Sequence, residues 1–380
     1  MEPGTPHAAA GSGAAALKVS PLNSQHVAAG AKFAAFSGWF MPLEYAGAGV
    51  LAEHAAVRNG VGVFDVSHLG KVAISGPDAG DFVNRCLSND LRKIRPGQAQ
   101  YTMLCNDAGG VVDDLIAYLR SPENVLLIPN AANCARVADL LADAAPAGVT
   151  VANQHEDFAI LAVQGTESDE VLTAASFPAG HHYMSFVTVS TAHAVLTVCR
   201  TGYTGERGYE LIVPVDAAVE VWEKITSAGA PYGLQPAGLG ARDTLRTEMG
   251  YPLHGQDISP EITPVQAGLS WAVGWKKEAF FGEAALRAEK ERGPHRLLRG
   301  LKATGRGIPR PTMSVRDPAA GEVGFVTSGT YSPTLKTGIG LALLKPELAD
   351  GDVVLVDVRG REQPFVINKP PFVSPGVREP

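Results

Sequence analysis

The chain has 380 residues, 45% of them hydrophobic and 19% charged, with a formal net charge of −7 and a mean hydropathy of +0.04. At roughly 100–200 residues per domain this length calls for two or three cores, and the composition excludes a disordered or membrane-spanning chain. Mild acidity without long single-sign blocks argues against a nucleic-acid partner.

Four cysteines, Cys86, Cys105, Cys134 and Cys199, stand far apart with no metal-ligand spacing. They predict free thiols in the cytoplasm, with neither a disulfide framework nor a metal site. Residues 1–22 are rich in Ala, Gly and Pro and lack the charged start and apolar middle of a secretory signal, so a disordered tail is expected there.

In chain order, VLAEHAAVRNG (50–60) reads as a helix stopped by Gly60, and GVFDVSHLGKVAISG (62–76) as one extended segment. PDAGDFVNRCL (77–87) starts a helix with Pro in its first turn. QYTMLC (100–105) and VVDDLIAYL (111–119) flank a five-residue Asn-Asp-Ala-Gly-Gly turn and predict a β-hairpin. A strand at 124–130 leads into a helix at 131–145. Strands follow at 158–165, near FVTVS and AVLTVCR, and at 209–215, then helices at 216–229 and 239–249, the latter closed by Gly250. This order indicates an α+β protein with largely antiparallel sheets. From residue 296 helices give way to short strands between Gly, Pro and Asp turns, so residues 296–374 read as a separate small β-barrel or sandwich behind a catalytic region spanning 23–290.

Asp113 and Asp114 sit inside a strand that otherwise looks buried, where an unpaired charge is costly. Strand alternation puts Val112, Asp114, Ile116 and Tyr118 on one face and Asp113, Leu115 and Ala117 on the other, so the two acids cannot form a dyad. One of them is expected near the turn and wet. The other, in line with Tyr118 and facing Tyr101 across the hairpin, could enter a pocket for a flat, nitrogen-rich heterocycle. The competing reading, that both acids merely extend the turn, stays open on this segment alone.

RTGYTGERGYEL (200–211) places Tyr203 in a Gly-rich turn and Glu210 in the next strand, where a carboxylate can take paired N–H donors; an exposed hairpin Glu is the alternative. Arg242 and Arg246 are one helical turn apart and could clamp a carboxylate tail, or pair internally on a solvated helix. His68 in FDVSHLG is expected as a satisfied structural histidine in a strand, since no nucleophile context accompanies it. The glycine patterns do not fit a dinucleotide fingerprint.

Taken together, FSGWFMPLEY (36–45), FDVSHLG, NDAGGVVDDLIAY, RTGYTGERGYE, LGARDTLRTEMGYPLHGQDI, TPVQAGLSWAV (263–273) and VTSGTYSPTLKTGIGLALL (326–344) occur in the order seen in the aminomethyltransferase, or T-protein, family of the glycine cleavage system. The chain resembles that family over about residues 22–374. The resemblance implies a three-domain cloverleaf ending in a small β-barrel. It also implies an enzyme that takes an aminomethyl group from the lipoyl arm of H-protein, passes its one-carbon unit to tetrahydrofolate and releases ammonia. Asp114 matches the family's catalytic aspartate, Glu210 the residue that holds the pterin, and Arg242 a folate ligand. Tyr101, Tyr118, Asn130, Tyr203 and Tyr251 match further positions around the folate, with Tyr183 and Leu69 completing the set. Leu69 replaces the family's common Met, and the tail VSPGVREP lacks an aromatic residue seen in some relatives. Lys276, Lys277 and the Arg292–Arg299 region are expected to meet an acidic H-protein. The same fold also serves folate-dependent demethylases, the runner-up. It serves an iron–sulfur assembly factor too, whose K-G-C-Y-x-G-Q stretch is replaced here by R-T-G-Y-T-G-E.

Overall fold

A computed structural model describes residues 16–377, in which two antiparallel-rich sheets, a three-stranded sheet and a closed barrel are joined by eight α-helices. The expectation for residues 1–22 falls mostly outside the described part. Where it does not, it is corrected: Lys18–Val19 pairs in parallel with Trp39–Phe40, and Leu22 is fully buried.

The five-stranded sheet runs in the order Gln98–Cys105, Val111–Ser121, Asn124–Ile128, Val72–Ser75, Thr150–Asn153. Its outer face is apolar and is covered by the helices Ala79–Cys86 and Cys134–Ala144. The six-stranded sheet runs Phe186–Ser190, Val195–Cys199, Gly208–Pro214, Phe158–Gln164, Gly62–Asp65, Gln235–Pro236. Its outer face packs on Ser168–Ala174 and Ala218–Gly229. The inner faces meet each other: Tyr118, Leu126 and Ile128 of one sheet join Phe64, Ile160, Ala162 and Ile212 of the other, with Ala241 and Leu245 of the helix Leu239–Met249. Side-chain alternation does the sorting. Tyr209, Leu211 and Val213 go outward, which leaves Glu210 and Ile212 on the inner side, where Ile212 packs against the other sheet.

The extended segment expected over 62–76 is corrected. Gly62–Asp65 and Val72–Ser75 belong to different sheets, and the six residues between them cross from one to the other. The crossing is tight: a Cβ on Gly70 would lie 2.6 Å from the Cys134 side chain and 2.7 Å from Pro129. His68 and Leu69 therefore sit in the crossover and not in a strand.

The closed barrel comprises Leu297–Ala303, Ser314–Asp317, Gly321–Ser332, Thr337–Leu344, Val353–Asp357 and Glu362–Asn368, all inside the β-rich span expected from sequence, and its closure selects the barrel over the sandwich. It is bolted to the helix Leu239–Met249 through Glu248, which is fully buried and accepts from Ser332 and Thr334 of the barrel and from Arg58. Among the described residues no helix is long and apolar enough to cross a membrane.

Candidate active site

A cavity of about 1010 Å³ opens where the two inner sheet faces, the helix Leu239–Met249 and the barrel converge. Asp114, Glu210, Arg242, Tyr101, Tyr118, Asn130, Tyr203, Tyr251, Leu69 and Tyr183 all line it. The fold thus gathers the ten residues that the family resemblance assigns to the folate site, from segments more than 180 positions apart.

Asp114 lies in the hairpin strand Val111–Ser121, opposite Met103, while Tyr101 is opposite Ile116 and so diagonal to Asp114 on the same face. A bulge near Val112 turns that side chain into the outer core, which corrects its expected place beside Asp114. Tyr101 Oη donates to Asp114 Oδ2 at 3.0 Å and Asn130 Nδ2 to Oδ1 at 2.8 Å. Burial raises the Asp114 pKa above its ordinary value, while the hydrogen bonds from Tyr101 and Asn130 pull it back. The Tyr101 phenol is likewise pushed well up, by burial and by the Asp114 charge, so it stays a donor.

The expectation that one of the paired acids is wet is overturned. Asp113 has no solvent exposure and accepts three N–H donors: the backbone N of Asn130 at 2.9 Å, Asn130 Nδ2 at 2.9 Å and Asn133 Nδ2 at 2.7 Å. Burial first, and then the neighbouring Asp114, lift its pKa well above the ordinary value; the three donors oppose this.

Across the cavity, Tyr118 Oη and Thr201 Oγ1 lie 3.1 Å apart and Thr201 Oγ1 donates to Glu210 Oε2 at 2.5 Å. Since the threonine proton is committed to Glu210, Tyr118 must be the donor to Thr201. The Gly-rich turn that delivers Tyr203 is clamped by Gln164, which donates to Thr201 O at 3.1 Å and accepts from Thr204 Oγ1 at 2.8 Å. A Cβ on Gly202 would lie 2.1 Å from the Gln164 amide, so a larger residue there would have to displace that clamp. Tyr203 donates to Pro252 O, its ring stacks on Tyr251 at 5.7 Å, and the Arg242 guanidinium lies 4.8 Å from the ring centre.

Arg242 and Arg246 do not form a joint clamp. Arg242 lines the cavity, and its Nη1 is buried without a hydrogen-bond partner among the described residues. Arg246 is buried against Asp243 at 2.7 Å, Asp257 at 3.0 Å and Ser328 Oγ of the barrel at 3.0 Å. It also donates to Tyr251 O at 3.2 Å, which fixes the loop beyond the helix. Neither the clamp nor the solvated-helix reading describes it.

Several lining residues were not reached from sequence. Thr201, His254 and Trp271 lie inside motifs quoted above but were given no role there, and Asn133 carried no local signal. Trp271 is 63% exposed and its ring stacks on Tyr101 at 5.5 Å. His68 also lines the cavity: its Nδ1 is buried without a partner among the described residues, and burial, then the Arg242 charge, push its pKa down to about 3. The expectation of a satisfied structural histidine is therefore corrected. Lys277 is corrected as well. It is 3% exposed and donates to the carbonyls of Leu87 and Asn89, while Lys276 and Arg292 are exposed. The C-terminal segment reaches the site through Lys369 and Pro370, which line the cavity.

Residues 22–277 match the family described as GCVT N-terminal domain, and residues 296–374 the Glycine cleavage T-protein C-terminal barrel domain. An aminomethyltransferase from Frankia alni is 60% identical over 94% of this chain and 98% of its own length. One from Mycobacterium avium is 54% identical over 93% and 96%. The crystal structure of the glycine cleavage system aminomethyltransferase T from Bartonella henselae superposes with a TM-score of 0.89 at 33% identity, covering 95% of this chain and 99% of that one. Matched in both parts of the chain and along nearly the full length of these relatives, the chain belongs to the glycine cleavage T-protein family of aminomethyltransferases.

Proposed function

We propose that this aminomethyltransferase holds tetrahydrofolate in the cavity and receives the aminomethyl group from the lipoyl arm of H-protein, releasing ammonia. The observation that carries the reading is Asp114, a carboxylate facing a large cavity and oriented on both oxygens by Tyr101 and Asn130.

The lining fits the chemistry of a folate. A flat pterin presents N–H donors along one edge, and Glu210, held by Thr201, is an acceptor for them between aromatic residues. An acidic tail calls for a cation, and Arg242 brings a buried N–H without a partner among the described residues, whose desolvation a carboxylate or carbonyl would offset. Leu69 and Ile116 supply the apolar wall.

In the transfer, one folate nitrogen attacks the aminomethyl carbon as the C–N bond to the departing ammonia breaks. A second folate nitrogen then displaces the lipoyl sulfur; the C–S bond breaks and the sulfur leaves as the dihydrolipoyl thiol, so positive charge develops near each reacting nitrogen in turn. Asp114 acts by position and charge. A preorganised carboxylate in a poorly hydrated site stabilises developing cationic character without reorganising, a contribution of the kind worth about 3–4 kcal/mol in other sites. Its raised pKa also leaves it able to carry a proton transiently. No clustered His, Cys, Asp or Glu set that could hold a metal occurs among the described residues.

The lipoyl arm would enter on the barrel side, where Trp271, Leu298, Arg299 and Lys369 line the cavity. Lys276, Arg292 and Arg299 supply positive charge for docking an acidic H-protein. Four free, buried cysteines support a reducing, cytoplasmic setting. The catalytic region is taken as residues 23–290 and the barrel as 296–374.

The test is ammonia release from aminomethylated H-protein with and without tetrahydrofolate. Folate-dependent release supports the reading. Turnover of a small methylated amine or sulfonium with none from H-protein would replace it with a demethylase.

A further inference from the structure

Asp113 lies behind the cavity wall, fully buried, one residue from the reacting carboxylate. A carboxylate buried there without partners would cost several kcal/mol, so its three N–H donors are a necessary compensation. An apolar residue would close the same sheet face without that cost. The donors show what the acid does. Asn130 and Asn133 form one turn, with Asn133 N donating to Asn130 O at 3.1 Å, and Asp113 grips both ends of it. From this turn Asn130 Nδ2 reaches Oδ1 of Asp114 at 2.8 Å and its backbone O at 3.0 Å. Asn133 Nδ2 also meets His254 Nδ1 at 3.0 Å, and His254 Nε2 donates to Val111 O at 3.0 Å, which returns the chain of contacts to the hairpin strand. His254 is therefore the Nε2–H tautomer, and a closed ring of hydrogen bonds surrounds the base of Asp114.

The amide of Asn130 could present either its NH2 or its oxygen to Asp114. Asp113 decides, because Asn130 Nδ2 is shared between Asp113 Oδ1 and Asp114 Oδ1 and only an NH2 can serve two carboxylates. We propose that Asp113 is a positioning residue for the transfer reaction: through Asn130 it fixes the amide that orients Asp114, although it touches neither the cavity nor the substrate. This rests on Asp114 being the reacting carboxylate, which Asp114→Asn tests separately in the same assay.

Asp113→Asn keeps the shape but places an amide where donors converge, so the Asn130 amide loses its reason to face NH2 toward Asp114. In single-turnover and steady-state assays with aminomethylated H-protein, Asp113→Asn should lower kcat by about 10–100-fold. The Kd for tetrahydrofolate should stay within about three-fold, and in an Asn130→Ala background the same change should cost less than about two-fold more. A purely structural role would lower the melting temperature without this split or this non-additivity. If the Asp113→Asn chain does not fold, Asn133→Ala, which removes the 2.7 Å donor, enters the same cycle with the same sign expected at smaller size. A kcat within about two-fold of wild type, or losses that multiply in the double variant, would overturn the proposal. Loss of activity in wild type, or full activity in Asp114→Asn, would instead strike the underlying reading.

Discussion

Tyr101 and Asp114 sit diagonally on neighbouring strands, and the phenol donates to the carboxylate at 3.0 Å while the other side of the ring system stacks on the exposed Trp271. The hydrogen bond favours the ionised form of Asp114, against the burial that raises its pKa. Removing the hydroxyl should therefore raise that pKa further. Tyr101→Phe is expected to move the acidic limb of kcat/KM toward higher pH by about one unit and to lower kcat roughly ten-fold, as loss of one bond to a charged group implies. A pH–rate profile with the limb unmoved or shifted down would count against it.

Glu210 meets its partners through Thr201 on the far side of the cavity from the hairpin turn. Glu210→Gln keeps the shape and removes the charge-assisted character of any bond to pterin N–H groups. Tetrahydrofolate Kd, read by fluorescence titration, should weaken by about 10–100-fold, with kcat at saturating folate changed far less. Equal affinity would place the pterin elsewhere.

Arg242 and Arg246 make a contrast within a single helix. Arg246 is ion-paired to Asp257 at 3.0 Å in the interior, so Arg246→Met strands that carboxylate and should cost about 3–5 kcal/mol, seen as a large fall in melting temperature. Arg242 has a buried Nη1 without a partner among the described residues, and burial lowers its pKa. Arg242→Met should leave the melting temperature unchanged or raised while weakening tetrahydrofolate binding by roughly ten-fold or more. Reversal of the two phenotypes would show that the roles have been exchanged.

The hairpin and the barrel strands were legible because alternation and Gly-rich turns are local signals, and Asp114 and Glu210 stood out as charges on otherwise apolar strands. What could not be read depends on partners far away in sequence. Asp113 is satisfied by Asn130 and Asn133, 17 and 20 residues on, and Lys277 by carbonyls nearly 190 residues back. Arg246 differs from Arg242 because Asp257 and Ser328 arrive beside it from far along the chain and Asp243 pairs with it locally. The break in residues 62–76 rests on the close approach of Gly70 to Cys134, which no apolar periodicity records.

Glu248 ties the helix to the barrel, and its pKa is lowered to about 2: burial opposes ionisation, but His54, Ser332 and Arg58 outweigh it. The folded-state value lies below the unfolded value of 4.5, so its stabilisation is full above that pH and is lost as pH falls toward about 2. Glu248→Gln should be less stable than wild type at neutral pH, and the difference in melting temperature should shrink as pH falls from about 5 to 3. A difference constant across that range would contradict the assignment.

The most direct measurement is single-turnover ammonia release from aminomethylated H-protein by the Asp114→Asn enzyme saturated with tetrahydrofolate. Folate affinity is expected within about three-fold of wild type together with a rate lower by about 100-fold or more, since one preorganised group facing the developing charge contributes about 3–4 kcal/mol. A rate within a few-fold of wild type, with folate bound, would contradict it.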